Sequence, residues 1–137
     1  MIEALGSRFV LLRLDLFRSP REIVRPLNVI WTPTLLFCDR HLTVHYSSLN
    51  FLPPRHFLTL LDIGEAEVGL RWSRNDESIA LLRRACDNDP DGPFAAEALY
   101  RLGIATYLRT RSNPEMYAVW DTLRERFPDS VWASRVP

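Results

Sequence analysis

The chain has 137 residues, with 17 basic and 17 acidic side chains, a formal net charge of zero, 47% apolar residues and 25% charged ones. That length suits one ordinary domain or two very small ones, and the balance of apolar and charged residues excludes an intrinsically disordered chain. Zero net charge argues against a general nucleic-acid binder, which needs an excess of positive charge. A folded chain of this size buries roughly 70% of its unfolded surface, enough for a core. Every basic residue is Arg, since the sequence has no Lys. Ten Pro against five Gly predict short, stiff connections.

Cys38 and Cys86 stand far apart in segments of different character. They form no disulfide framework, zinc ligand set or CxxC redox motif. Met1 to Phe9 includes Glu3 and Arg8 and lacks the apolar centre of a signal peptide. The longest stretches free of Asp, Glu, Lys and Arg, Pro26–Cys38 and His41–Pro54, contain Pro. Both fall short of the roughly 18 residues of a spanning helix. The expectation is an intracellular, cytoplasmic protein with no membrane or nucleic-acid partner.

In chain order, Met1–Gly6 reads as the tail of a helix. Phe9–Leu16 (FVLLRLDL) is a nearly continuous apolar run of β-compatible residues and predicts a strand buried on both faces. Ser19-Pro20 predicts a short helix from Pro20 to about Arg25, with Ser19 as its cap and Pro26 as its stop. Leu35–Cys38 predicts a second strand, Asp39–His41 a turn and Leu42–Ser47 a third strand with Leu42, Val44 and Tyr46 on one face. The last two strands are close enough to form an antiparallel hairpin. Pro53-Pro54 opens a longer helix near Arg55.

Strand, helix, X-Pro loop, hairpin, helix is an order that resembles the second half of a thioredoxin-like domain. The residues that carry it are Phe9–Asp15, Val29–Phe37 (VIWTPTLLF), the hairpin and Phe51-Leu52-Pro53-Pro54. The resemblance implies that Pro33 is a cis proline and that Thr32 and Pro33 bind peptide through the backbone beside it. X-Pro is the one peptide bond at which cis costs little. In that family the reactive CxxC follows a central strand upstream of these elements, and this chain starts too late to contain it. Redox chemistry needs an activated thiolate and a resolving partner, so the family's activity is not carried over. Cys38 and Cys86 read as packed thiols. Without the central strand, its two neighbours must pair directly, meet a second chain in a homodimer that completes the sheet, or belong to a shortened version of a longer protein.

From Pro54 onward the periodicity is helical. Arg55 to about Ser73 presents Phe57, Leu58, Leu61, Ala66, Val68 and Trp72 as inward positions. Asn75-Asp76 caps a helix over Glu77–Asp87, with Ile79, Leu82 and Cys86 on one side. After the break Asp89–Pro93, a helix runs from Phe94 to about Thr110. Asn113-Pro114 starts another, which ends near Phe127. Val131–Val136 reads as the first turns of one more. Pro90 and Pro128 define a period of 38 residues, near the 34 of a tetratricopeptide repeat. Leu99, Leu102-Gly103 and Tyr107 resemble that repeat's pattern with one extra residue, and Gly103 marks a close helix approach. The fold class expected is α/β plus α. Residues 1–60 form a partial thioredoxin-like domain (strand-helix-hairpin-helix), and 61–137 a tetratricopeptide-like antiparallel helical repeat.

The remaining residues point to binding rather than chemistry. His41, His45 and His56 lack the spacing and carboxylates of a metal site, and no cofactor is expected. Tyr100 and Tyr107 share a helical face, and Tyr117 and Trp120 form an i, i+3 pair; these four either line a peptide groove or pack the core. Arg83-Arg84 and Arg109-Arg111 lie among Asp87, Asp89 and Glu97 on a mixed, solvated face. No phosphate loop, nucleophile–His pair or carboxylate dyad stands out. Two functions follow: a non-catalytic interaction module that engages a protein or peptide, or an N-terminally truncated thiol-disulfide oxidoreductase whose CxxC lies outside this chain.

Overall fold

Four long helices follow one small hairpin. The computed structural model describes residues 2–49 and 51–137. The elements are α1 (Ile2–Arg8), α2 (Arg21–Val24) running into a 3-10 turn (Arg25–Leu27), β1 (Thr34–Cys38), β2 (Val44–Leu49), α3 (Pro54–Arg71), α4 (Asn75–Asn88), α5 (Ala95–Thr110), α6 (Asn113–Arg126) and a final 3-10 turn (Ala133–Arg135). The chain is therefore mixed α/β and mostly helical, with one two-stranded antiparallel sheet among the described residues. Met1 lies outside them.

The helices start and stop where local chemistry dictates. Pro54 occupies the first position of α3, where its missing N–H is no loss. Ser112 caps α6, its Oγ accepting from the Glu115 N–H at 3.3 Å, with Pro114 just inside. Arg111, in the left-handed conformation at φ 59°, ends α5 and donates its N–H to the Tyr107 carbonyl. The link to α6 is thus very short, and α5 and α6 pack as antiparallel neighbours.

Three apolar clusters join the elements. Ile63, Ala66, Leu82, Ala85, Ala98 and Leu102 knit α3, α4 and α5 together, with alanines at the helix contacts. Leu99, Trp120, Leu123, Ala133 and Val136 bind α5 and α6 to the final turn. Phe37, Leu60 and Leu61 seat the hairpin on α3, with Leu35, Tyr46 and Phe57 at the margin. Gly64 permits that seat, because a Cβ there would run into the Phe37 ring. Full burial of Leu60, Ile63, Leu82 and Leu123 contributes about 1.5–3 kcal/mol each.

The structure departs from the sequence expectations at five points. Phe9–Leu16 is not a strand: Phe9–Asp15 has no regular structure and Leu16–Arg18 form a turn. β-propensity expresses packing against a ladder neighbour, and no described strand lies beside this segment. Asp15 Oδ1 instead accepts from the N–H groups of Phe17 and Arg18. Ser19 caps that turn rather than a helix, its Oγ accepting from the Asp15 N–H, and α2 begins after Pro20. Leu42 belongs to the hairpin turn at φ 61°, so β2 starts at Val44, with Val44 itself exposed. Trp72 follows the end of α3 and is half-exposed rather than inward. The expected final helix is a single 3-10 turn.

Candidate functional site

The sequence points first to Thr32 and Pro33. They stand at the end of the irregular segment between the 3-10 turn and β1. Thr34 Oγ1 donates to the Trp31 carbonyl at 2.6 Å and fixes the bend, and the Thr32–Pro33 peptide bond is cis. Thr32, Ile30 and Trp31 are exposed. β1 pairs with β2 along one edge, from Thr34 opposite Leu49 to Cys38 opposite Val44. Its other edge carries no backbone hydrogen bond among the described residues. Such an edge presents N–H and C=O groups to any extended segment laid along it.

The N-terminal segment is pinned to the helices and then released. Arg8 donates to Asp62 at 2.6 Å and to Glu65 at 2.5 Å, while Arg84 grips both Asp62 oxygens at 2.6 and 2.9 Å. The Asp62 side chain is 2% exposed, so two guanidinium groups meet one buried carboxylate and tie α1, α3 and α4 together. The hydrogen bond to Asp62 raises the Arg84 pKa above its ordinary value. Phe9 meets the Phe37 ring edge-on at 5.9 Å. Beyond it Val10, Leu11 and Leu12 turn to solvent.

Three of the four aromatic candidates meet. Tyr100 stacks on Trp120 at 5.5 Å and 12°, and Tyr117 meets Trp120 edge-on at 5.8 Å. Trp120 is 6% exposed and donates Nε1–H to the Tyr100 carbonyl at 3.0 Å, so it is core rather than an open anchor. Tyr117 reaches the surface. Tyr107 stands apart under the Arg111 guanidinium, 5.8 Å from its ring centroid.

Sequence reasoning missed a cavity of about 620 Å³ between β2 and α5, lined by Tyr46, Ser47, Ser48, Phe94, Glu97 and Arg101 among others. Arg101 bridges Glu67 at 2.7 Å and Glu97 at 2.8 Å, with its guanidinium 4.9 Å from the Tyr46 ring centroid. Burial lowers the Arg101 pKa, but Glu67 and Glu97 outweigh it and the net direction is up. Tyr46 is also raised, by burial first and then by Glu97. The i, i+4 spacing of Glu97 and Arg101 was visible in the sequence. Their meeting with Tyr46, fifty residues away, was not.

Each of two histidines is matched with an aspartate. His45 Nε2 lies 2.9 Å from Asp39 Oδ2, and His56 Nδ1 lies 2.5 Å from Asp89 Oδ2, while the other Asp89 oxygen forms an ion pair with Arg55 at 3.0 Å. Neither imidazole hydrogen-bonds to a Ser, Thr or Cys among the described residues, so neither pair forms a nucleophilic triad. Burial raises both thiols, with Asp39 adding to Cys38 and Asp87 adding to Cys86, which is pushed up to about 11. Among the described residues no three metal-binding side chains cluster, and no helix is long and apolar enough to cross a membrane.

No protein-family model matches the chain, and no curated protein or solved structure is significantly similar to it.

Proposed function

We propose that the chain is a non-catalytic protein-interaction module, akin to a thioredoxin-like domain half joined to a tetratricopeptide-like helical segment, acting in the cytoplasm. The observation that carries this reading is the uneven distribution of exposed apolar side chains. Between Val10 and Phe51 eleven large hydrophobics are exposed, whereas from residue 52 onward there are three, Trp72, Tyr117 and Val131. Apolar exposure concentrated in one stretch of the chain favours a partner that covers that stretch. Thr32 and Pro33 sit at the start of the open β1 edge within this region, and backbone pairing along such an edge is an established mode of peptide capture. The succession of α3, α4, α5 and α6, each packed on the next, supports the repeat-like part of the reading. The raised thiols of Cys38 and Cys86 speak against thiol–disulfide chemistry by this chain's own cysteines.

The test is a photoreactive side chain placed in cells at Trp31, and as a control at Arg83 on the exposed face of α4. Discrete cross-linked products at position 31 and none at position 83 are expected. Absence of products at both sites, or turnover in an insulin-reduction assay with the purified chain, overturns the reading.

A further inference from the structure

Val10–Leu14 makes no backbone hydrogen bond among the described residues, and neither does the outer edge of β1. Val10, Leu11 and Leu12 are exposed and the outer side of β1 is an unpaired sheet edge, so both rows are open to an extended partner. The rows match in length. β1 has five residues and spans about 17 Å, and the five residues Val10–Leu14 span about 17 Å if extended. They match in chemistry too, since Val10–Leu14 is an apolar, strand-like run without backbone partners among the described residues.

We propose that the partner at this surface is a second copy of the chain, docked as a two-fold dimer in which Val10–Leu14 of each copy pairs along the outer β1 edge of the other. This rests on the interaction reading above and names its occupant. Each copy supplies one donor segment and one acceptor edge, which is the self-complementary condition of a two-fold interface. Val10, Phe17, Ile30 and Phe51 are 100%, 97%, 92% and 87% exposed, and Leu11, Leu12 and Trp31 each exceed 60%. Exposed apolar side chains of this number are what association with a second copy would cover. Zero net charge sets no long-range repulsion between copies, and Asp15, just past the segment, balances Arg13 within it.

The experiment is light scattering with sedimentation across the micromolar range, on the full chain and on the Val10→Asp/Leu12→Asp variant. Both positions are exposed, so the variant keeps the core of each copy intact. The expected result is a mass twice the 15.9 kDa of the chain, reduced to the single mass in the variant with its helical circular dichroism and melting temperature unchanged. Amides of residues 10–14 and the β1 amides that face away from β2 should be protected from exchange and lose that protection on dilution. A full chain that is monomeric throughout overturns the proposal. If its 10–14 amides are nevertheless protected, the segment pairs within its own chain. A dimer that survives the double substitution also overturns it. A monomer that still cross-links at position 31 to a different protein sinks the second copy alone, whereas a monomer with no cross-link sinks the interaction reading as well.

Discussion

Gly103 on α5 lies against the indole of Trp120 on α6, in space that a Cβ would fill. The sequence marks this glycine as unusual because it sits in an otherwise strong helix former, and the structure supplies the cause. Gly103→Ala gains up to about 1 kcal/mol of helix propensity but overpacks the α5–α6 contact by about 1–3 kcal/mol. Net destabilisation is expected in urea unfolding. Gly6→Ala is the control: a Cβ there meets nothing within 4 Å, so a gain of about 0.5–1 kcal/mol is expected. Equal effects at the two sites would refute the packing argument.

The Asp62 clamp makes an asymmetric prediction. Asp62→Ala removes the buried charge and leaves two arginines that reach water along their stems, at a cost of about 1–2 kcal/mol. Removing both arginines, Arg8→Ala/Arg84→Ala, strands a buried carboxylate and costs about 3 kcal/mol or more. The order of the two chemical midpoints checks this, and the reverse order would show that Asp62 is not the group that needs a counter-charge.

Strong acid should loosen the hairpin turn. The hydrogen bond from His45, with the His41 and Thr43 N–H groups, holds Asp39 down to about 2, against burial that would raise it. A folded value below the ordinary carboxylate range gives stability that is complete above about pH 4. That stability is lost as pH falls toward 2. Chemical shifts of Val44–Leu49 should follow this titration, and Asp39→Asn should abolish it. A midpoint in the hairpin near pH 4 would contradict the assignment.

Thiol chemistry should be slow in the native chain. A rise from 9.0 to about 11 at Cys86 lowers its thiolate fraction at pH 8 about a hundredfold, and Cys38 is raised in the same direction. A chromogenic disulfide should therefore label the folded protein far more slowly than the urea-unfolded one. Equal rates would mean that the cysteines are accessible and unperturbed.

The helical half was legible because its signals are local. Pro54, Pro114 and the break at Asp89–Pro93 stand in the sequence beside the helix ends they create, although Ser112 rather than Asn113 caps α6 and Asn75 and Asp76 lie inside α4 instead of capping it, and the apolar spacing of Leu82, Leu99 and Leu102 needs no distant partner. Phe9–Leu16 failed for the opposite reason. Its composition describes a residue type that suits a strand, but a strand exists only with a neighbour, and composition does not supply one. Leu42 was placed in a strand because its apolar side chain fits the alternation, yet the backbone needs a left-handed residue there to close the turn. The Tyr46, Glu97 and Arg101 grouping was illegible because it forms between elements rather than within one.

The Asp62 clamp has a chemical consequence outside stability. With no Lys in the sequence, both of its cations are guanidinium groups. Lysine acetylation, ubiquitin transfer to lysine and amine-directed reagents find no side-chain target in this chain. Covalent control of the α1–α3–α4 junction is left to chemistry on arginine or on the carboxylate itself.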